Sequence, residues 1–205
     1  MIKQLSRRLL ILAGVMAAGA GSAAAQTYTC SGTLAPGSYT AVSVPASATC
    51  TVSTSGNVTV TGNVMVGSGA SLFDYDTASF TVSSSLLAVG AKTIYLVPAT
   101  GGAVNILGSV SVTGETNTVD IRNSFVGGTL SVANSMISAY INLTGNNVSA
   151  NVLNRSNTTP APGDNDVVNN TIGGSLVCTG NTPAPQDGGI PNTVGGSKVG
   201  QCSGL

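Results

Sequence analysis

Histidine and tryptophan are absent from this 205-residue chain, and charge is scarce, with seven Lys or Arg and seven Asp or Glu. Without histidine the commonest metal-binding side chain is missing. The four cysteines also lack C-x-x-C spacing, so zinc is not expected. A serine nucleophile would need a lysine in place of histidine, and neither Lys92 nor Lys198 has a recognisable serine motif. Only five Tyr and three Phe are present, so platforms for stacking sugar rings are few. There is no basic patch, which argues against nucleic acid as a partner. A helical stripe is missing too. Leu86 to Lys92 comes nearest to a 3.6-residue period and is too short to stand alone. Sparse charge with abundant Ser, Thr, Asn and Gly is compatible with disorder, but the many alternating Val, Ile and Leu residues argue for a packed core.

Residues 1–25 read as a secretory signal peptide cleaved before Gln26. Lys3, Arg7 and Arg8 form a basic start, Leu9 to Ala20 an apolar stretch, and Ala23-Ala24-Ala25 a small-residue cleavage site. The apolar stretch falls short of the about 20 residues that span a bilayer. Ser6-Arg7-Arg8-Leu9-Leu10 also resembles a twin-arginine signal, so both export routes stay open. After cleavage the expected product does not span a membrane and is secreted, whether extracellular, periplasmic or on the cell surface. Residues 26–205 retain Lys92, Arg122, Arg155 and Lys198 against all seven acids, four minus seven, a net charge of −3.

What is present is alternation. Val58, Val60, Val64 and Val66 interleave with Asn57, Thr59 and Thr61, the period-2 code of strands with one buried face. An antiparallel sandwich and a parallel β-helix both fit strands without helices. The repeat separates them. Asn169-Asn170-Thr171-Ile172-Gly173-Gly174-Ser175 returns as Asn192-Thr193-Val194-Gly195-Gly196-Ser197, matches Asn123-Ser124-Phe125-Val126-Gly127-Gly128, and has a degenerate copy around Val148. The steps from Val126 to Val148, from Val148 to Ile172 and from Ile172 to Val194 are nearly equal. A repeat of roughly 20–25 residues marks a solenoid. The four anchors are expected to stack as one fully buried ladder, with Ser175 facing outward and tolerant of change. Asn123, Asn147, Asn170 and Asn192 fall near equivalent turns, where Asn tolerates the left-handed conformation. The Gly-Gly pairs imply a corner too tight for side chains. The echoed Pro-Ala-Pro segments, Asn157 to Asp164 and Asn181 to Asp187, should leave the solenoid side by side on one flank.

These copies resemble the short coils of secreted bacterial right-handed parallel β-helix proteins, the pectin-lyase-like solenoids. The resemblance is to an architecture and carries no catalytic motif. It implies an all-β fold, a single-stranded right-handed parallel β-helix with disulfide-closed ends. The expected division is a signal peptide at 1–25, an N-terminal cap at 26–55 that is irregular from Thr27 to Cys50, and the β-helix over 56–205. Four cysteines allow three connectivities. In a solenoid, Cys178 and Cys202 lie on neighbouring coils about 4.8 Å apart, which favours Cys178–Cys202 and, at the other end, Cys30–Cys50.

Polygalacturonase-like β-helix enzymes use aspartates with a histidine motif, which this chain lacks. Pectate lyases use calcium-holding carboxylates with an arginine or lysine base. The only comparable inventory here is Asp74, Asp76, Glu115, Asp120 and Arg122. Asp164, Asp166 and Asp187 offer hard oxygens without matching a calcium-loop pattern. The candidate ligand-binding residues are therefore Asp74, Asp76, Asp120, Arg122, Asp164, Asp166 and Asp187. Phe73 and Tyr75 could add a small aromatic patch. No catalytic residue, metal or cofactor is assigned. The expected role is a secreted or cell-surface scaffold of adhesion type, contacting an extracellular polysaccharide or protein. The alternative is a β-helix protein that binds or degrades polysaccharide.

Overall fold

The computed structural model describes residues 27–75 and 77–205. The signal-peptide segment, Gln26 and Asp76 lie outside the described residues. Among the described residues, twenty-four short strands form three parallel sheets of nine, seven and eight strands, here A, B and C. Sheet A runs from Thr27–Thr29 to Lys198–Gly200, sheet B from Thr33–Leu34 to Asn165–Val168, and sheet C from Gly37–Tyr39 to Thr193–Val194. The chain visits A, B and C in turn, making a β-solenoid of about eight turns. The described residues contain no α-helix. Leu86–Val89, the nearest approach to a helical pattern, is a strand of sheet A.

Every sheet pairing is parallel, and the register repeats the period seen in the sequence. Val126 pairs with Val148, Val148 with Ile172, and Ile172 with Val194. The same column continues upstream through Ile106, Val82 and Val60. Inward residues of each strand meet inside the coil while outward ones face solvent, and β-branched side chains suit such a half-buried pleated surface. Val58, Val60, Val64 and Val66 are all inward, as the alternation requires. Each such burial contributes about 1.5–3 kcal/mol. Val126, Val148 and Ile172 are fully buried, whereas Val194 is half-buried because it lies in the last strand of sheet C.

Three corners turn the chain, and each breaks strand pairing. Side chains restore it. At the B–C corner, Ser124 N donates to Asn146 Oδ1 at 3.1 Å, Asn146 N to Asn170 Oδ1 at 2.9 Å, and Asn170 N to Asn192 Oδ1 at 3.0 Å. The same amides donate through Nδ2 to Ile121 O, Leu143 O and Val167 O, each at 2.7 Å. An asparagine carries both donor and acceptor, so one side chain pairs two backbone groups of the preceding coil. Asn123 and Asn147 are not members of this buried ladder. Asn123 stacks instead with Gly145 and Asn169 in the left-handed conformation, at φ of 48°, 68° and 52°. Asn147 pairs with Phe125 and Thr171 through its backbone and is exposed.

At the A–B corner a second ladder runs from Ser135 through Asn157 and Asn181 to Gln201, with donor–acceptor distances of 3.1, 3.0 and 2.9 Å. At the C–A corner, Ser109, Ser85 and Asn63 do the same, as do Ser197, Ser175 and Asn151. Ser175 Oγ accepts Ser197 N at 3.1 Å, so Ser175 takes part in this corner ladder. The glycine pairs sit at this corner for want of space. A Cβ on Gly195 would lie 2.5 Å from Gly173 O, and one on Gly196 2.7 Å from Ser175 Oγ.

The disulfides are Cys30–Cys50 and Cys178–Cys202, with Cα separations of 5.5 and 5.2 Å, one near each end. Thr27 to Cys50, expected to be irregular, instead carries short strands already in the three-sheet register. At the far end, Leu205 packs against the core. The two Pro-Ala-Pro segments leave the same A–B corner. Thr158 bridges to Thr182, and Thr159 N donates to Thr182 O at 2.9 Å.

Candidate functional site

The outer face of sheet B gathers aromatic and charged side chains. Along its strands, Phe73 pairs with Tyr95, Tyr95 with Asp120, Asp120 with Asn142 and Asn142 with Asp166. One outward column thus carries two aromatics, two carboxylates and an amide. Flanking columns add Arg122 and Thr144 on one side and Tyr140 on the other. Tyr75 follows the strand Ser71–Asp74 and is 51% exposed. The rings of Phe73 and Tyr75 lie 6.2 and 6.5 Å from that of Tyr95, within the range of favourable aromatic pairing. Elsewhere the column Ser43, Met65, Leu87, Ser111 of sheet A holds only small polar and aliphatic residues.

The charged centre of the face is an ordered triad. Arg122 donates Nε to Asp120 Oδ1 at 2.6 Å and Nη2 to Asp120 Oδ2 at 2.8 Å, a bidentate pair. Tyr140 donates its hydroxyl to Asp120 Oδ2 at 3.1 Å. Asp120 is buried beneath these partners, while the Arg122 side chain is 36% exposed. The hydrogen bond to Asp120 raises the pKa of the Arg122 guanidinium, against a smaller opposing effect of burial. Burial, and then the Asp120 charge, pushes the Tyr140 hydroxyl up. Next along the strand, Asn142 and Thr144 bond to each other. Beyond them burial raises the pKa of Asp166, opposed by a hydrogen bond from the Gln186 side chain.

The remaining sequence candidates fall elsewhere. Asp74 occupies an inward column of sheet B, in register with Leu96, Ile121, Leu143 and Val167, and is buried. Asp164 accepts Ala161 N at 2.9 Å, and Asp187 accepts Gly189 N at 2.9 Å, so both close their own loops. Glu115 is fully buried at the A–B corner, heading the ladder there through its own N–H to Ser135 Oγ at 3.2 Å. Burial pushes its carboxyl up to about 7. Among the described residues no three acidic or cysteine side chains come together as a metal site.

Of the candidates, Asp120, Arg122 and Asp166 come together on one face. Tyr95, Tyr140 and Asn142 join them without having been singled out in the sequence. Tyr95 follows Phe73, and Asn142 follows Asp120, by the ordinary length of one coil, so the repeat carries the signal. Between Tyr95 and Asp120 the coil is longer, which hides the continuity.

Among the described residues no helix is long and apolar enough to cross a membrane. No protein-family model, no curated protein and no solved structure matches this chain.

Proposed function

We propose that this protein is a secreted or cell-surface β-solenoid scaffold of adhesion type, and that it makes contact through the outer face of sheet B. The observation that carries this reading is the gathering of Phe73, Tyr75, Tyr95, Tyr140 and the Asp120–Arg122 pair on one exterior face. Two disulfides support an oxidising compartment. A signal peptide at 1–25 and a capping role for 26–55 belong to the same reading.

Binding without turnover is favoured by how the acids are used. Asp120 is buried and engaged by Arg122 and Tyr140, and Asp164 and Asp187 accept backbone N–H groups of their own loops. A general base must be within reach of substrate and open to it. The test expresses the full chain in its own host, locates it by fractionation, and measures attachment of the purified protein to the host's outer surface. Expected is an extracytoplasmic protein whose attachment falls in Tyr75→Ala and Tyr95→Ala. A cytoplasmic location, or attachment unchanged in both variants, overturns the reading.

A further inference from the structure

We propose that the outer face of sheet B, centred on Tyr95, is a binding strip for a neutral polysaccharide running along the solenoid axis. This rests on the reading above that sheet B carries the contact face, and adds the chemistry of what is bound. A sugar ring offers an apolar C–H face and a rim of hydroxyls. It is recognised by an aromatic surface beside fixed, planar hydrogen-bonding groups. This face carries both. Four of the chain's eight aromatics, five Tyr and three Phe in all, stand on it. Phe73 and Tyr95 lie on successive coils, and Tyr75 stands open to solvent beside them. One coil further on, Asp120 grips Arg122 in a bidentate pair at 2.6 and 2.8 Å, which fixes the guanidinium plane at the surface. A guanidinium has five N–H donors, and two of them are directed at Asp120.

Charge decides which saccharide. Arg122 and Asp120 balance, while Asp166 follows on the same column with Asp164 close by in the chain. A uronate or sulfated chain would meet a negative end, and a neutral chain would not. The side-chain types argue against a protein partner. The middle column reads Thr51, Phe73, Tyr95, Asp120, Asn142, Asp166, with no aliphatic residue. Protein interface cores are depleted of charged residues, and this column carries two carboxylates, Asp120 and Asp166. The corresponding column of sheet A, with Met65, Leu87, Leu153, Val177 and Val199, carries none. A polymer is favoured over a monosaccharide because the contacts are spread over successive coils about 4.8 Å apart. Weak contacts of this kind gain by being linked in one ligand.

The chain has no tryptophan, so tyrosine fluorescence reports directly on this face, which holds three of the five tyrosines. Full-length protein is titrated with soluble glucan, xylan and galactomannan, with polygalacturonate as the anionic control, and run in gels containing each polymer. Expected is retardation and a fluorescence change with at least one neutral polymer and neither with polygalacturonate. Affinity should fall on the order of tenfold in Tyr95→Ala and Tyr75→Ala, and stay unchanged in Leu87→Ser on sheet A. Failure of all three neutral polymers overturns the proposal. If surface attachment is still lost in the two tyrosine variants, the contact face stands and only the ligand class is wrong. Equal or tighter binding of polygalacturonate overturns the charge argument. Binding that survives both tyrosine variants but not Leu87→Ser places the site on sheet A and overturns both readings.

Discussion

Replacing Asn170 with alanine tests the corner ladder, the feature that holds the coils in register. Asn170 is 1% exposed. Its Oδ1 accepts Asn146 N at 2.9 Å and Asn146 Nδ2 at 3.1 Å, and its Nδ2 donates to Leu143 O at 2.7 Å. The substitution leaves the Asn146 N–H without that acceptor in a buried corner. An orphaned buried group costs about 1–3 kcal/mol, and the lost donor to Leu143 O adds about 1 kcal/mol. Asn146 Nδ2 keeps Ile121 O at 2.7 Å, so it contributes little. The total is roughly 2–4 kcal/mol, which in a domain of this size lowers the melting midpoint by about 5–15 °C. Asn147→Ala is the control, since Asn147 is exposed, and should stay within about 0.5 kcal/mol. Each repeat of a solenoid contacts only its neighbours, so the loss concentrates in the adjoining coils. Amide hydrogen exchange therefore accompanies the thermal melt, and the Asn146 amide should lose protection before those of sheet A near Val64. Equal effects of the two substitutions would refute the ladder as the source of register. So would a change for Asn170→Ala of no more than about 0.5 kcal/mol, the range of an ordinary surface substitution.

Three further outcomes are expected. Ile172→Ala should cost roughly 2–5 kcal/mol in urea unfolding, while exposed Thr171→Ala costs little; similar values for both would contradict the interior column. Glu115 has its carboxyl raised by burial from 4.5 to about 7. The folded state therefore holds a proton that the unfolded state releases, so this contribution to stability is full below about pH 4.5 and is lost as pH rises through about 7. Melts across that range should fall with pH, and Glu115→Gln should flatten the slope; an unchanged slope in the variant rules Glu115 out as its source. Non-reducing peptide mapping should recover Cys30–Cys50 and Cys178–Cys202, each closing a loop worth roughly 3 kcal/mol in the chain-entropy model; any crossed pairing would contradict the coil assignment.

The architecture was legible in the chain alone because each coil repeats its neighbour. The spacing of Val126, Val148, Ile172 and Val194 implied parallel stacking, and the same spacing placed Cys178 beside Cys202. What the sequence left open turns on single-residue offsets. Successive residues of a strand point to opposite faces, so a shift of one exchanges inside for outside. Asn146 and Asn147 are adjacent, yet one is a buried ladder member and the other exposed. Asp74 and Tyr75 are adjacent too, and the carboxylate turns into the core while the ring faces solvent. Only the tertiary register, with its unequal steps from coil to coil, decided which alternate positions share a face. It brought Phe73, Tyr95, Asp120 and Asn142, distant in the chain, into a single outward column. That placement depends on hydrogen bonds between coils and on how each corner absorbs its insertions, neither of which is written in any one repeat.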